Sequence, residues 1–323
     1  MVIPTFNRAS LLAASLDSLA RQSLAPDRFE VIVIDDGSTD GTARVCQDFH
    51  GCIVLRHYRI DHAGTSAAKN LGLFLSVAPL VFFFDDDDLA GSDLLAEHLE
   101  AHRRYPQTNL AILGHTSWAP ALPQSELMRF VTGAGAFLFS YGSLSDGQVL
   151  DFTYFWAGRS SCKRAFLAQH GVFRPLFNPG LEDIELGSRL ARFGLQVVYW
   201  ARARQFANRA FTFEAFCRRC ERHGMSQYHW ARLNPGNAQI AAYCQSAGAE
   251  ARWKEWECLL PPRMVRVHAL EEAEARGELS AAMRAELYRL YEWSFLAHKT
   301  KGMVEAMRDA ARCMPAHDFN RTT

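Results

Sequence analysis

The residues best suited to chemistry are two acidic clusters that end apolar runs. Asp35 and Asp36 follow Val31-Ile32-Val33-Ile34, and Asp85 to Asp88 follow Val81-Phe82-Phe83-Phe84. In open α/β sheets, ligands bind beyond the carboxyl ends of the strands, where both clusters would lie. Four adjacent carboxylates repel each other, by about 1 kcal/mol per pair at ~4 Å in water and about 4 at an intermediate dielectric. A divalent cation relieves that repulsion, and Mg²⁺ or Mn²⁺ suits carboxylate oxygen while retaining positions for diphosphate oxygens. The plainer alternative is an exposed acidic turn capping the next helix. Side chains alternate along an extended chain, which predicts Asp85 and Asp87 on one side and Asp86 and Asp88 on the other. A third acidic signal is Glu182-Asp183, opening a predicted helix whose apolar face includes Ile184, Leu186 and Leu190. Acidic residues there complement the helix dipole. An Asp at such a position also serves as a general base if it reaches an acceptor hydroxyl.

The elements that must position these carboxylates are legible as a pattern. Val2-Ile3, Phe29 to Ile34, Cys52 to Leu55 and Leu80 to Phe84 read as strands. Leu12, Leu16 and Leu19 recur at helical spacing, and Thr39 to Phe49 and Thr65 to Ser76 read as helices. Strands separated by helices imply right-handed crossovers and a parallel sheet, so the fold class is α/β. Beyond about residue 110 the pattern loosens into short strands and loops. Lys163 to His170 and Ile184 to Phe193 then read as helices, stopped by Gly171 and Gly194, and Val197 to Trp200 as a strand. From Thr212 onward nearly everything is helical, with Leu287, Leu290, Tyr291 and Phe295 as one apolar stripe. The expected organisation is an α/β domain over 1–232, with a nucleotide-binding half at 1–115 and an acceptor half at 116–232. A C-terminal helical extension would fill 233–323.

Composition narrows the class. A chain of 323 residues, 49% hydrophobic and 12% aromatic, can bury a large core and does not read as disordered. Lys plus Arg is 35 and Asp plus Glu is 35. A dedicated nucleic-acid binder would normally carry a basic excess, so no nucleic-acid partner is expected. Locally, Arg159 to Arg232 holds 13 Lys or Arg against 5 Asp or Glu. That stretch suits either a solvated helix face or a surface for phosphates. No stretch approaches the roughly 20 apolar residues that span a bilayer. No secretory signal is visible, and the eight cysteines show no framework spacing, so a cytoplasmic location is expected.

Taken in order, the motifs resemble the inverting family-two glycosyltransferases of the GT-A fold. Ile3-Pro4-Thr5-Phe6-Asn7-Arg8 looks like the family's opening strand and nucleotide loop, and Val33 to Thr42 is similar to its most recognisable signature. Gly64 through Gly72, with Lys69-Asn70, resembles its Ala-Arg-Asn-x-Gly helix. Asp85 to Asp88 matches the DxD position, and Glu182-Asp183 the Glu-Asp motif. The resemblance covers roughly residues 2 to 230. It implies a GT-A Rossmann-like sheet, mixed or parallel, flanked by helices, with a nucleotide sugar bound over the sheet edge.

By position, the resemblance gives Pro4, Thr5, Asn7 and Lys69 to the donor nucleotide site, Asp36 to the base and Asp85 to the ribose. Asp87, helped by Asp88, would hold Mn²⁺ or Mg²⁺ on the diphosphate. Asp183 would be the base, with Glu182 assisting. Separately, Phe155, Trp156 and Trp118 suit either a sugar-stacking wall, with Trp156 as the acceptor contact, or the core. That acceptor would be a saccharide, a lipid-linked molecule or a small molecule, and a UDP-sugar the simplest donor. Rival readings are a sugar-nucleotidyltransferase and a catalytically inactive relative acting as a scaffold.

Three departures from the family stand out. Only three residues precede Pro4, so either the true start lies upstream or the opening strand is clipped. Relatives often carry a metal-binding His after the strand at Val197 to Trp200, whereas Ala203 to Arg209 offers Asn208 and no His. The Gln-x-x-Arg-Trp motif of processive synthases is missing, which favours single addition. Cys217-x-x-Cys220, with His223 and His229, has a zinc-like look, but Phe213, Phe216, Cys217 and Cys220 share one helical stripe, as buried cysteines do. Arg159, Lys163 and Arg164 suit either a phosphate site or a solvated patch. The helical tail could dimerise, close over the acceptor or touch a membrane surface peripherally.

Overall fold

The continuous β-branched run at Val31–Asp35 (β2) becomes the centre of a three-stranded parallel sheet, between Val2–Thr5 (β1) and Leu55–Arg59 (β3). Val31 and Val33 face a cluster containing Leu12, Leu16 and Leu19 of Ala9–Ala20 (α1) and Cys46 of Thr42–Asp48 (α2). Ile32 and Ile34 face Ala68, Leu71 and Leu75 of Thr65–Leu75 (α3). A strand covered on both faces has no solvent side, which is why it reads as unbroken apolar sequence. Each such side chain contributes about 1.5–3 kcal/mol on burial. The third strand begins where the sequence pattern expected it to end. Gly51 turns the chain at φ +95°, and the alternating Leu-Arg-His-Tyr-Arg run, not the apolar Cys52–Leu55, enters the sheet.

The computed structural model describes residues 1–177 and 180–313. Their contacts form two compact units: Met1–Gln124 with Ala136–Ala210, and Ser125–Gly135 with the chain from Phe211 onward. The expected boundary at 232 falls inside one uninterrupted helix, Phe213–Leu233, so the break comes before that helix, at 210.

In the first unit a mixed sheet continues the architecture. Leu80–Phe82 (β4), Asp88–Ala90 (β5), Leu110–Trp118 (β6), Ser160–Lys163 (β8) and Gln196–Ala207 (β9) pair in the order β4-β8-β6-β9-β5, and Val149–Leu150 (β7) joins β9. Only β6 and β9 run parallel within it. The expectation of a largely parallel sheet therefore holds for the first three strands, and antiparallel pairing dominates the rest. Val2 bridges Phe83, which brings the end of β4 beside β1. Strands β4 and β5 lie at opposite ends of this order yet are joined by residues 83–87 alone. Leu94–Arg104 (α4), Arg164–His170 (α6) and Glu182–Ala191 (α7) complete the unit.

The second unit is helical: Glu126–Thr132 (α5), Phe213–Leu233 (α8), Ala238–Cys244 (α9), Ala249–Trp256 (α10), Leu260–Ala275 (α11) and Ala281–Cys313 (α12). Leu287, Tyr291 and Phe295 are fully buried, with Phe213 and Phe216 of α8 packed on the same aromatic rings. Helices α8 and α12 touch backbone to backbone. A Cβ on Gly224 would lie 1.9 Å from Lys299 O, and one on Gly302 2.0 Å from Glu221 O. Cys217 and Cys220 are buried on α8, as their stripe implied. No helix of the described residues is long and apolar enough to cross a membrane.

Candidate active site

The four aspartates form a turn, not an extended strand. Asp88 N donates to Asp85 O at 3.2 Å, and Ser15 Oγ of α1 donates to Asp86 O and Asp88 O at 3.0 and 2.5 Å. The expected alternation of faces therefore fails, because it presumed extended backbone. The pairs that form are Asp86 with Asp87, and Asp85 with Asp88.

Each pair is met by arginine. Arg8, at the entry to α1, reaches Asp86 Oδ1 at 2.8 Å and Asp87 Oδ2 at 3.3 Å. Arg159 lies 3.3 Å from Asp85 Oδ2 and 3.6 Å from Asp88 Oδ2. Arg209, just past β9, puts Nε 2.8 Å from Asp87 Oδ2. Three guanidinium groups thus relieve the repulsion for which the sequence argument invoked a metal. None of the three was assigned a role there beyond the general phosphate alternative for Arg159. Arg159 is not on a solvated patch: its side chain is 17% exposed and its guanidinium lies over the Phe139 ring at 4.9 Å.

Burial divides the aspartates by task. Asp86 is enclosed and accepts from Thr5 Oγ1 at 2.7 Å; burial pushes its carboxyl up to about 6. Asp88 is 1% exposed and accepts from Gln205 Nε2 at 2.6 Å, and burial pushes it up to about 8. Its carboxylate, expected to help hold a metal, is engaged by Gln205 and Arg159. Asp85 and Asp87 keep partial exposure, at 33% and 15%.

A divalent cation can be tested against this donor set. Among the described residues no three His, Cys, Asp or Glu converge as a protein cage. The carboxylates that remain accessible, Asp87 and Asp85, are hard oxygen donors of the kind Mg²⁺ uses when substrate phosphates and water complete its shell. These two carboxylates could supply oxygen ligands to a cation whose remaining positions are filled by phosphates and water.

The nucleoside side of the site is built from loops. Asn7 has φ +52°, takes Ser38 Oγ on its backbone N–H and holds Thr39 N with Oδ1 at 2.8 Å. Pro4 pairs with Ile34 in the sheet, and Thr5 is committed to Asp86. The Asp36 carboxylate accepts from Ala63 N at 2.7 Å and Gly64 N at 2.9 Å, with His62 Nδ1 3.0 Å away. Asp36 therefore fixes the loop entering α3. Exposed Phe6 and His62 pack with centroids 4.3 Å apart and their planes tilted by 33°, an aromatic pair that the sequence motifs did not single out.

The second carboxylate pair stands at the start of α7. Lys69 of α3 is buried and donates to Glu182 Oε1 at 3.0 Å, while Gly180 N donates to Glu182 Oε2 at 3.1 Å. Burial opposes charge on Glu182, yet Lys69 outweighs it and holds the carboxyl below its ordinary range. Asp183 receives Ile184 N at 2.8 Å and the Ala157 N–H. Burial, then the Glu182 charge, raise its carboxyl to about 6. Lys69 thus belongs with the Glu-Asp pair.

One short turn links the two carboxylate groups. Ala157 binds Asp183; Gly158 O accepts from Gln205, the same amide that holds Asp88; Arg159 binds Asp85 and Asp88. A Cβ at Gly158 would come within 2.3 Å of Asp85 Oδ2, so only glycine allows this approach. Beside the turn, Trp156 donates Nε1–H to Thr153 O and packs with Tyr141 and Tyr154 at 5.6 and 5.5 Å. Tyr141 stacks on Tyr199 at 5.3 Å, extending an aromatic wall.

Residues 1–119 match the model of glycosyl transferase family 2. The chain is 34% identical over 218 residues to a validoxylamine A glucosyltransferase of Streptomyces hygroscopicus subsp. limoneus, covering 60% of this chain and 48% of that protein. The chain spans about half the length of the curated relatives it matches. Its fold resembles that of the mannosyltransferase PcManGT of Pyrobaculum calidifontis, solved with GDP-Man and Mn²⁺ (TM-score 0.59, 19% identity, 95% of this chain and 86% of that one). It also resembles S. aureus TarS 1-349 in complex with UDP (TM-score 0.55, 14% identity, 98% of this chain and 92% of that one).

Proposed function

We propose that the chain is a family-two glycosyltransferase, the family whose model its residues 1–119 match, and that it transfers one sugar from a nucleotide donor, a UDP-sugar, to an acceptor hydroxyl with inversion. The observation that carries this reading is the Ala157–Arg159 turn. It joins Asp183, whose carboxyl is raised to about 6 and accepts from the Ala157 N–H, to the aspartates that Arg159 braces.

In a single in-line displacement the acceptor oxygen bonds to the anomeric carbon as the bond to the diphosphate oxygen breaks. Asp183 takes the hydroxyl proton on its carboxylate, and the diphosphate leaves with the electron pair of the broken bond. Glu182, held by Lys69, keeps a negative charge beside Asp183 and makes it the better base. Phe6 and His62 offer the nucleobase an aromatic face, with Pro4, Thr5, Asn7 and Asp36 shaping the loops beneath it. Asp85 meets the ribose. Asp87, with Asp85 beside it, would hold a Mn²⁺ or Mg²⁺ carried by the donor, which when bound supplies charge neutralisation to the leaving diphosphate. Trp156 and its tyrosine neighbours suit stacking against a sugar ring of a saccharide, lipid-linked or small-molecule acceptor. Cytoplasmic placement is part of this reading, since Cys46, Cys52, Cys162, Cys217, Cys220, Cys244 and Cys258 are free thiols.

The test is thermal stability against nucleoside diphosphates and sugar nucleotides, each with Mn²⁺ and with EDTA. A ligand at 100 times its dissociation constant adds about 2.7 kcal/mol, a rise of several degrees. No shift with any nucleotide defeats the proposal. NMR of the product's anomeric proton checks the stereochemistry, and retention rules out the single-displacement scheme.

A further inference from the structure

We propose that Gln205 is a positioning residue for the transfer: its side-chain amide locks the aspartate turn to the Ala157–Arg159 turn and so fixes how Asp183 is presented. The proposal rests on the transferase reading above.

The placement begins with the strand. Gln205 lies in β9 with a paired neighbour on each side, Ala90 of β5 and Thr116 of β6. Just before it the register breaks: β9 advances from Trp200 to Arg204 while β6 advances only from Gly114 to His115. Ala201 to Ala203 are the extra residues, and an odd number of them turns the side chains that follow to the other face of the sheet. Gln205 is fully buried, and its Nε2 donates to Asp88 Oδ2 at 2.6 Å and to Gly158 O at 3.0 Å.

An amide suits this position for a chemical reason. Both atoms that it meets are acceptors, so the side chain must supply two hydrogens from one nitrogen without adding charge. Lysine or arginine would bring a further cation to a set already braced by Arg8, Arg159 and Arg209. A carboxylate would repel Asp88. The amide oxygen has no hydrogen-bond partner among the described residues, so the nitrogen alone sets the orientation of the group.

Gly158 explains why the grip is needed. Asp85 Oδ2 fills the space that a Cβ would take, at 2.3 Å, so no side chain can pack this part of the turn in place. The Gly158–Arg159 peptide is instead held at both ends, by Gln205 on its oxygen and by Trp156 O on the Arg159 N–H at 2.9 Å. One residue earlier in the same turn, the Ala157 N–H binds Asp183. Among the described residues Gln205 makes no hydrogen bond to Asp183, so an effect of Gln205 on that carboxyl reports on the turn.

The experiment is a ¹³C NMR titration of the Asp carboxyls, with the Asp183 signal identified by its loss in Asp183→Asn, alongside calorimetric binding of UDP and GDP in Mn²⁺. It compares the wild type with Gln205→Met and Gln205→Asn. Leu55→Ala, which removes buried volume from β3 of the same unit, is the control for lost stability. The Ala157 bond draws the Asp183 carboxyl down. Gln205→Met slackens the turn and should raise the Asp183 titration by about half a unit to one unit. Gln205→Asn keeps the amide on a shorter arm and should give a smaller rise; it decides the question where the Met variant does not fold. Diphosphate affinity should stay within about threefold of wild type, because Ser15 Oγ still holds Asp86 O and Asp88 O. An Asp183 titration that is unmoved or lowered in both variants overturns the proposal, and so does an equal rise in Leu55→Ala. A fall in diphosphate affinity with Asp183 unmoved also overturns it, since the amide then serves the aspartate turn alone. A wild type that binds neither diphosphate defeats the donor reading instead, a failure seen without any variant.

Discussion

Lys69 Nζ stands 3.0 Å from Glu182 Oε1, in a pocket where both side chains are shielded from bulk water and Asp183 is the next residue. Burial alone would lower the pKa of the Lys69 ammonium, but the charges of Glu182, Asp85 and Asp183 outweigh it and hold it raised. The pair thus sets the field in which Asp183 works.

Removing one partner should be costly and informative. Lys69→Met leaves Glu182 buried without its counter-ion, a change that destabilises by about 3–5 kcal/mol in comparable cases. The double variant Lys69→Met/Glu182→Gln should recover most of that loss in urea unfolding. If the single and double variants unfold at the same midpoint, the pair is not the source of the effect.

Asp183→Asn should reduce transfer by about 100- to 10,000-fold, the usual contribution of a positioned general base. Donor affinity should stay close to wild type, because the residue acts on the acceptor side. Steady-state kinetics and donor titration measure the two separately, and a lost donor affinity would mean that Asp183 holds the nucleotide sugar.

The pH profile carries a definite sign. Asp183 accepts a proton only as a carboxylate, and its carboxyl is raised to about 6 by burial and then by Glu182. Transfer at saturating donor should therefore climb as pH rises through about 6 and level off above it. A flat profile from pH 5 to 8 would contradict this assignment.

Gly158→Ala places a methyl where Asp85 Oδ2 lies, at 2.3 Å. Overpacking of this kind typically costs about 1–3 kcal/mol. Here Asp85 must yield, and with it the contact to Arg159, so donor binding should weaken more than the melting temperature falls. Comparable donor affinity in the variant would show that the close approach serves packing only.

The linear sequence already contained the determinants of the first half of the fold. An unbroken apolar run such as Val31–Ile34 can only be a strand covered on both faces, and leucines at helical spacing can only supply one of those covers. The same local logic placed Asp35, Asp36 and Asp85 to Asp88 at strand ends and Glu182-Asp183 at a helix start, because strand and helix termini are written in neighbouring residues. What surrounds those carboxylates was decided elsewhere in the chain. The ion pair of Arg8 with Asp86 spans 78 positions, Gln205 reaches Asp88 across 117 and Lys69 reaches Glu182 across 113. Periodicity cannot encode such contacts, since they arise only when sheet order brings β4, β5, β8 and β9 together. The turn at Asp85–Asp88 is of the same kind. Taken alone, four aspartates after a strand look extended and in need of a metal. In the folded chain Ser15, Arg8, Arg159 and Arg209 bend them, bury two and neutralise the set, because desolvated charge must find its partners wherever the topology brings them.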